Sequence, residues 1–258
     1  MAEVINTPRV LVMGATSGMG REVASIYIER GYIVGVAGRR VEMLESLVAI
    51  APERVFAAAI DVTNEDAEVK LASLIERMGG MDMYFHSSGI GHQNFNLNSD
   101  VELSTLQTNG VGFTRMIGAA FRYFADNAAI YTQQHRKARI VVISSIAGTK
   151  GLGVSPAYSA TKRFQNTYIQ SLAQLANMRK LPIRFTDIRP GFVQTALLND
   201  EHTYPMMLQP DAVAREIVAA VDCGRRVRVI DWKYRILTFF WRLIPNYIWE
   251  RIDIHTKK

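Results

Sequence analysis

Cysteine is nearly absent: Cys223 is the only one in 258 residues. One thiol closes no intrachain disulfide and leaves no thiol pair for a zinc site, so a reducing compartment such as the cytoplasm is expected, with Cys223 inert in the core. No run reaches the roughly 18 uninterrupted apolar residues of a membrane-spanning helix. The opening MAEVINTPRV lacks the basic flank and apolar stretch of a secretory signal, so export by that route is not expected. Histidines and acids do not cluster, and no metal is expected. The net charge of +6 is also absent from most of the chain: Gly224 to Lys258 holds nine Lys or Arg against three Asp or Glu, leaving 21 against 21 in the preceding 223 residues. The basicity belongs to the tail, which argues against a nucleic-acid partner for the body.

What is present is a 48% apolar chain, long enough for one large core. Short β-rich runs (RVLVMG, YIVGVAG, RVFAAAI, MDMYFHSS, RIVVISS, IRFTDIRPG, RVRVI) alternate with helical patterns. That alternation predicts an α/β fold of the Rossmann type: a doubly wound parallel sheet of about seven strands with helices on both faces. Helices are expected near 41–50, 64–78, 100–131, 156–178 and 210–221. Without repeats or Gly/Ser linkers, residues 1–230 read as one domain and 231–258 as an amphipathic, basic and aromatic appendage.

The first strand runs into GATSGMG and then a helix. Glycine there lets backbone approach a pyrophosphate, and a helix start offers unpaired N–H groups. Gly14, Thr16, Ser17, Gly18, Met19 and Gly20 are the candidate contacts. The spacing is not G-x-G-x-x-G, and no Lys-Ser/Thr pair follows as a P-loop needs. The second strand ends in AGRR, where an enzyme preferring NAD would place an acid; Arg39 and Arg40 instead suit a 2′-phosphate and point to NADP(H), with NAD(H) less favoured. Asp61 and Val62, at the end of the third strand, are placed to touch an adenine ring. Tyr158 and Lys162, four apart in YSATK, share one helix face.

GATSGMG, Asp61, HSSG at 86–89, Asn109, Ser145, Tyr158-x-x-x-Lys162 and Pro190-Gly191 occur in the order seen in the short-chain dehydrogenase/reductase family, and the chain resembles that family from about Arg9 to Ile230. The resemblance implies an oxidoreductase. It makes Tyr158 the general acid/base, Lys162 the holder of the nicotinamide ribose, Ser145 the donor to the substrate carbonyl, and Asn109 the continuation of a proton relay through water. Ser88, Gly89, Pro190, Gly191, Val193 and Thr195 join Asn109, Tyr158 and Lys162 as cofactor contacts. A tyrosine ordinarily titrates near 10, and a nearby ammonium is expected to lower that value. Alternation along a strand lets only one of Ser144 and Ser145 face the cleft, and the family spacing picks Ser145. Met13 stands where the family often has threonine, and His86 and Ser87 where it often has two asparagines. His86 is therefore expected as a core or cofactor-pocket histidine rather than a second base.

The segment FVQTALLNDEHTYPMMLQP, which in the family arches over the substrate, is rich in Met, Leu and Tyr and implies a fairly lipophilic carbonyl or alcohol. In the tail, Trp232, Ile236, Phe239, Phe240 and Leu243 share an apolar arc opposite Arg235, Thr238 and Arg242. Packing of that arc on the body or a sister subunit is the leading expectation, with peripheral membrane contact second. The family also implies a homo-oligomer, dimer or tetramer, paired through the helices from Asp100 and Pro156. The function expected is an NADP-dependent carbonyl reductase or alcohol dehydrogenase. A non-catalytic dinucleotide sensor on the same fold is the alternative.

Overall fold

A computed structural model describes residues 7–195, 198 and 204–254. Ala196, Leu197 and residues 199–203 of the apolar segment after Gly191 lie outside the described residues, as does the end of the tail from 255. The seven apolar runs form seven strands, β1 Arg9–Met13, β2 Ile33–Gly38, β3 Val55–Ala59, β4 Met83–His86, β5 Ala138–Ile143, β6 Ile183–Arg189 and β7 Val227–Val229. All pair in parallel, in the order β3-β2-β1-β4-β5-β6-β7. Strands such as β1 and β5 are apolar on both sides because helices cover both sides.

On one face lie α3 (Ala67–Arg77), α5 (Phe113–Asp126) and α7 (Pro156–Met178), whose Leu71, Phe113 and Ile169 share a core with Leu11, Tyr84 and Ile140. On the other lie α1 (Gly18–Glu29), α2 (Val41–Val48) and α8 (Pro210–Asp222), whose Val23, Leu44 and Ile217 pack with Val10, Val36 and Val141. Phe113 is fully buried, and truncating such a side chain to Ala costs about 3–5 kcal/mol.

The long helical pattern from Asp100 is not one helix. It divides into α4 (Ser99–Leu106), a π-helical turn (Gln107–Gly112), α5, and α6 (Ala128–Gln133). Asn98 caps α4 by accepting from the N–H of Asp100. A π turn inserts a residue into the helical ladder, and such turns concentrate at functional sites; here it carries Asn109. The chain ends in α9 (Trp232–Leu243) and α10 (Asn246–Trp249). Cys223 is exposed, not in the core: it caps the end of α8, past the last buried turn.

Candidate active site

The strand order reverses between β1 and β4, and parallel sheets bind ligands at the carboxyl ends beside such a reversal. Gly14 ends β1 with φ +91°, and a Cβ there would lie 2.6 Å from the Ser88 nitrogen. Gly18, at φ +54°, brings the turn against Thr195, whose Cγ2 would be 3.0 Å from an added Cβ. At Gly20 a Cβ would meet the Gly14 carbonyl oxygen at 2.3 Å. The turn is therefore a backbone cradle that side chains would fill. Ser17 does not cap α1 with its side chain and no acid sits in the first turn, so the positive end of that helix stays open to an anion. Met19 faces the cavity below.

Arg40 donates from Nη2 to Thr16 Oγ1 at 3.0 Å, which holds its guanidinium against the turn. Arg39, exposed beside it, acts on Asp61. Burial raises the Asp61 carboxyl, but the Thr63 N–H and hydroxyl, at 2.9 and 2.7 Å, and then Arg39 outweigh it and hold it below the usual carboxylate range. Val62 turns its side chain into the core, while its carbonyl accepts from Arg115 at 2.8 Å.

Helix α7 starts at Pro156, a residue preorganised for that position, and Glu102 of α4 accepts from the Ala157 N–H at 3.0 Å, placing an acid at the positive helix end. This fixes the turn bearing Tyr158. Tyr158 and Ser145, the latter just past the end of β5, line one cavity, where their hydroxyls act on each other. Ser144, one residue earlier, turns the other way, donating to Asp187 and to the Ile188 carbonyl oxygen. Lys162 is 5% exposed and lies 5.6 Å from the Tyr158 ring centre. Its ammonium donates to the Ile143 carbonyl oxygen at 3.2 Å and to Gln165 Oε1 at 3.1 Å, and its third proton has no acceptor among the described residues.

Burial pushes the Tyr158 phenol up, and the Ser145 hydrogen bond only partly opposes this. Burial is the dominant influence on the phenol, so its value lies above the ordinary one rather than below it. Burial pushes Lys162 itself down to about 8, with Asp187 pulling the other way. Asn109 is fully buried and spends its side chain on Ile90, accepting from its N–H at 2.9 Å and donating to its carbonyl at 2.7 Å. The Gln165 side chain bridges Lys162 and the Asn109 carbonyl oxygen, its Nε2 donating at 2.9 Å. Lysine can only donate and a carbonyl can only accept, so this amide has a single possible orientation.

The pattern of the short chain dehydrogenase family matches residues 8–204. The chain belongs to the short-chain dehydrogenase family. An uncharacterized oxidoreductase of Myxococcus xanthus is 29% identical over 93% of this chain and 94% of its own. Dehydrogenase/reductase SDR family member 7B of Xenopus tropicalis is 26% identical over 96% and 85%. A short chain dehydrogenase of Burkholderia cenocepacia in complex with NADP superposes with TM-score 0.79 at 17% identity, covering 96% of this chain and 98% of that one. The 3-ketoacyl-(acyl-carrier-protein) reductase of Brucella melitensis, complexed with NADH, gives 0.73 at 21%, covering 87% and 96%. These structures share the fold and differ in the dinucleotide they hold.

In this short-chain dehydrogenase the departure at HSSG places His86 in the core with one ring nitrogen, Nδ1, paired and Nε2 buried without a partner among the described residues. His86 is buried; its Nδ1 pairs with the Tyr84 hydroxyl at 3.0 Å and its ring meets the Phe113 ring edge-on. Burial, then the Lys162 charge, push it down to about 3, so it is neutral and no second base. Ser87 binds β1 through its N–H to the Met13 carbonyl, and a Cβ on Gly89 would sit 3.6 Å from the Lys162 ammonium.

A cavity of about 610 Å³ is lined, on the side of α9, by Leu198, Tyr204, Met206, Leu237 and Trp241. Tyr234 is wholly buried, and its ring fills the place of any side chain at Gly191. Its hydroxyl accepts from the Phe192 N–H at 3.2 Å and donates to the carbonyls of Pro205 and Met206. Pro190 accepts from the Ile146 N–H, and Val193 pairs with Leu208. Sequence reasoning missed Gln165, Tyr234, Leu237 and Trp241. The last three recur at helical spacing, on the arc opposite the one that drew notice. That first arc does not pack on the body, and Thr238, expected among the polar residues, is buried.

Proposed function

We propose that the protein is an NADP(H)-dependent carbonyl reductase or alcohol dehydrogenase for a fairly lipophilic substrate. The observation that carries this reading is the meeting of Ser145, Tyr158 and Lys162 at one cavity that also reaches Met19 of the glycine turn. A nicotinamide dinucleotide supplies a hydride when bound. The chain would hold its pyrophosphate on the Gly14–Gly20 turn with Thr195, its adenine side near Asp61, Val62, Ser88 and Gly89, and its nicotinamide side near Pro190, Gly191, Val193 and the free proton of Lys162. Arg39 and Arg40, with no acid ending β2, favour the 2′-phosphate form.

The raised phenol keeps Tyr158 protonated at neutral pH, the state needed to donate to a carbonyl oxygen that Ser145 polarises. Reduction is the favoured direction there, and alcohol oxidation gains as pH rises toward the phenolate. Gln165 is a positioning residue: it anchors the ammonium to the Asn109 carbonyl. A binding-only sensor would have no use for a buried lysine, whose depressed value marks a cost to stability. Exposed Leu103, Leu106 and Phe164 on α4 and α7 favour pairing of subunits there.

Ketones of graded size, turned over with NADPH and followed by nicotinamide absorbance, test the reading. Tyr158→Phe is expected to lower kcat by about 10²–10⁴-fold with NADPH affinity nearly unchanged. Undiminished turnover in that variant would sink the mechanism.

A further inference from the structure

Helix α9 is apolar on two opposite faces. Inward, Tyr234 and Thr238 are buried while Leu237 and Trp241 line the cavity. Outward, Trp232, Ile236, Phe239, Phe240 and Leu243 are all between 50% and 63% exposed. At 3.6 residues per turn these five fall within an arc of about 100°. Lys233 borders the arc on one side; Arg235 and Arg242 border it on the other. All three are exposed, none pairs with an acid among the described residues, and α9 contains no acid. Beyond Pro245, Tyr247, Ile248 and Ile252 are exposed as well. A surface of this kind is larger than the scattered apolar side chains a solvated monomer shows.

We propose that the outer face of α9 seats the protein on an anionic lipid surface. The charges choose this occupant. A second copy docked face to face would bring Lys233, Arg235 and Arg242 against an identical cationic rim, with no acid on the helix to meet it. A bilayer takes the apolar arc into its acyl boundary while the long basic stems reach back to anionic headgroups. Resting on the reductase reading, the same helix then separates the lipid from the cavity by one layer of side chains, and the ketone it takes is one that partitions into membranes.

Flotation of the full chain with vesicles tests the seating without reference to turnover, so it fails or stands apart from the catalytic reading. The wild type is expected to float with vesicles of phosphatidylcholine mixed with phosphatidylglycerol, and far less with phosphatidylcholine alone or at high salt. Phe239→Ser with Phe240→Ser abolishes flotation. Lys233→Gln, Arg235→Gln and Arg242→Gln together weaken it roughly a hundredfold, at about 1 kcal/mol per cation. Both variants change only exposed side chains, and an unchanged circular dichroism spectrum verifies the fold. Absence of wild-type flotation overturns the proposal, as does flotation that both variants retain. An oligomer in light scattering that the Phe239/Phe240 variant dissociates, without vesicle binding, assigns the face to a second copy instead.

Discussion

The two ends of the cavity are built by opposite means. Around the glycine turn the fold removes side chains: Gly14 and Gly20 bring backbone against backbone, Gly18 sits against the Thr195 side chain, and the open start of α1 supplies the field. Around α9 it adds them: Tyr234, Leu237, Trp241 and Tyr204 fill and shape the wall. A dinucleotide's phosphates are the same whatever the substrate, so bare backbone suffices to hold them. Selection among substrates needs apolar surface of a particular shape, and only side chains provide it. If the ends are separate in this way, changes at one should leave the binding constant of the other untouched.

The largest effect of this kind is expected from Arg39→Ala combined with Arg40→Ala. Charge-assisted hydrogen bonds to a phosphate contribute on the order of 2 kcal/mol, so NADPH affinity should fall about thirtyfold or more while NADH affinity and the ketone KM stay put. Fluorescence titration of both dinucleotides reads this directly. An equal loss for NADH would mean that the pair supports the turn through Thr16 rather than reading the 2′-phosphate.

A smaller effect belongs to the junction between the ends. Gln165 Oε1 accepts from the ammonium and so favours the charged form of Lys162. Gln165→Leu removes that acceptor, and the Lys162 value drops further below about 8. The alkaline limb of the kcat profile should move toward lower pH, with kcat at neutral pH down by roughly three- to tenfold. A variant that loses rate equally at every pH would reduce Gln165 to packing.

The difference in construction also explains what could be read from the chain. Strands made of continuous apolar residues announce themselves, and so do glycines whose absence of a side chain is the signal. Tyr158 and Lys162 were legible because one helix turn separates them. Gln165 was not, since its meaning comes from the Asn109 carbonyl 56 positions away, exposed to it by a π turn that no local pattern announces. The faces of α9 were legible as an arc but not as a direction. Both faces are apolar, and hydrophobicity alone does not say which one meets the body. Tyr234 decides it, because its ring fits the space left by Gly191. The raised phenol was missed for a related reason: spacing tells that Lys162 is near, while burial decides the sign.

Tyr234→Phe is the mildest and most selective probe of the wall. It keeps the ring against Gly191 and removes one hydroxyl, and with it the contacts to the Phe192 N–H and the carbonyls of Pro205 and Met206. The hydroxyl's one proton is shared between the two carbonyls, so the donated and accepted bonds contribute about 1 kcal/mol net apiece, partly recovered by water at the cavity edge. The segment on the substrate side should loosen without the helix moving, raising the ketone KM about two- to fivefold and leaving NADPH affinity and kcat near wild type. Steady-state kinetics with ketones of two sizes separates the outcomes. A KM rise confined to the larger ketone locates the hydroxyl's work at the substrate wall, whereas a parallel loss of NADPH affinity would show that the latch reaches across to Thr195 and the glycine turn, and the two ends would then be one.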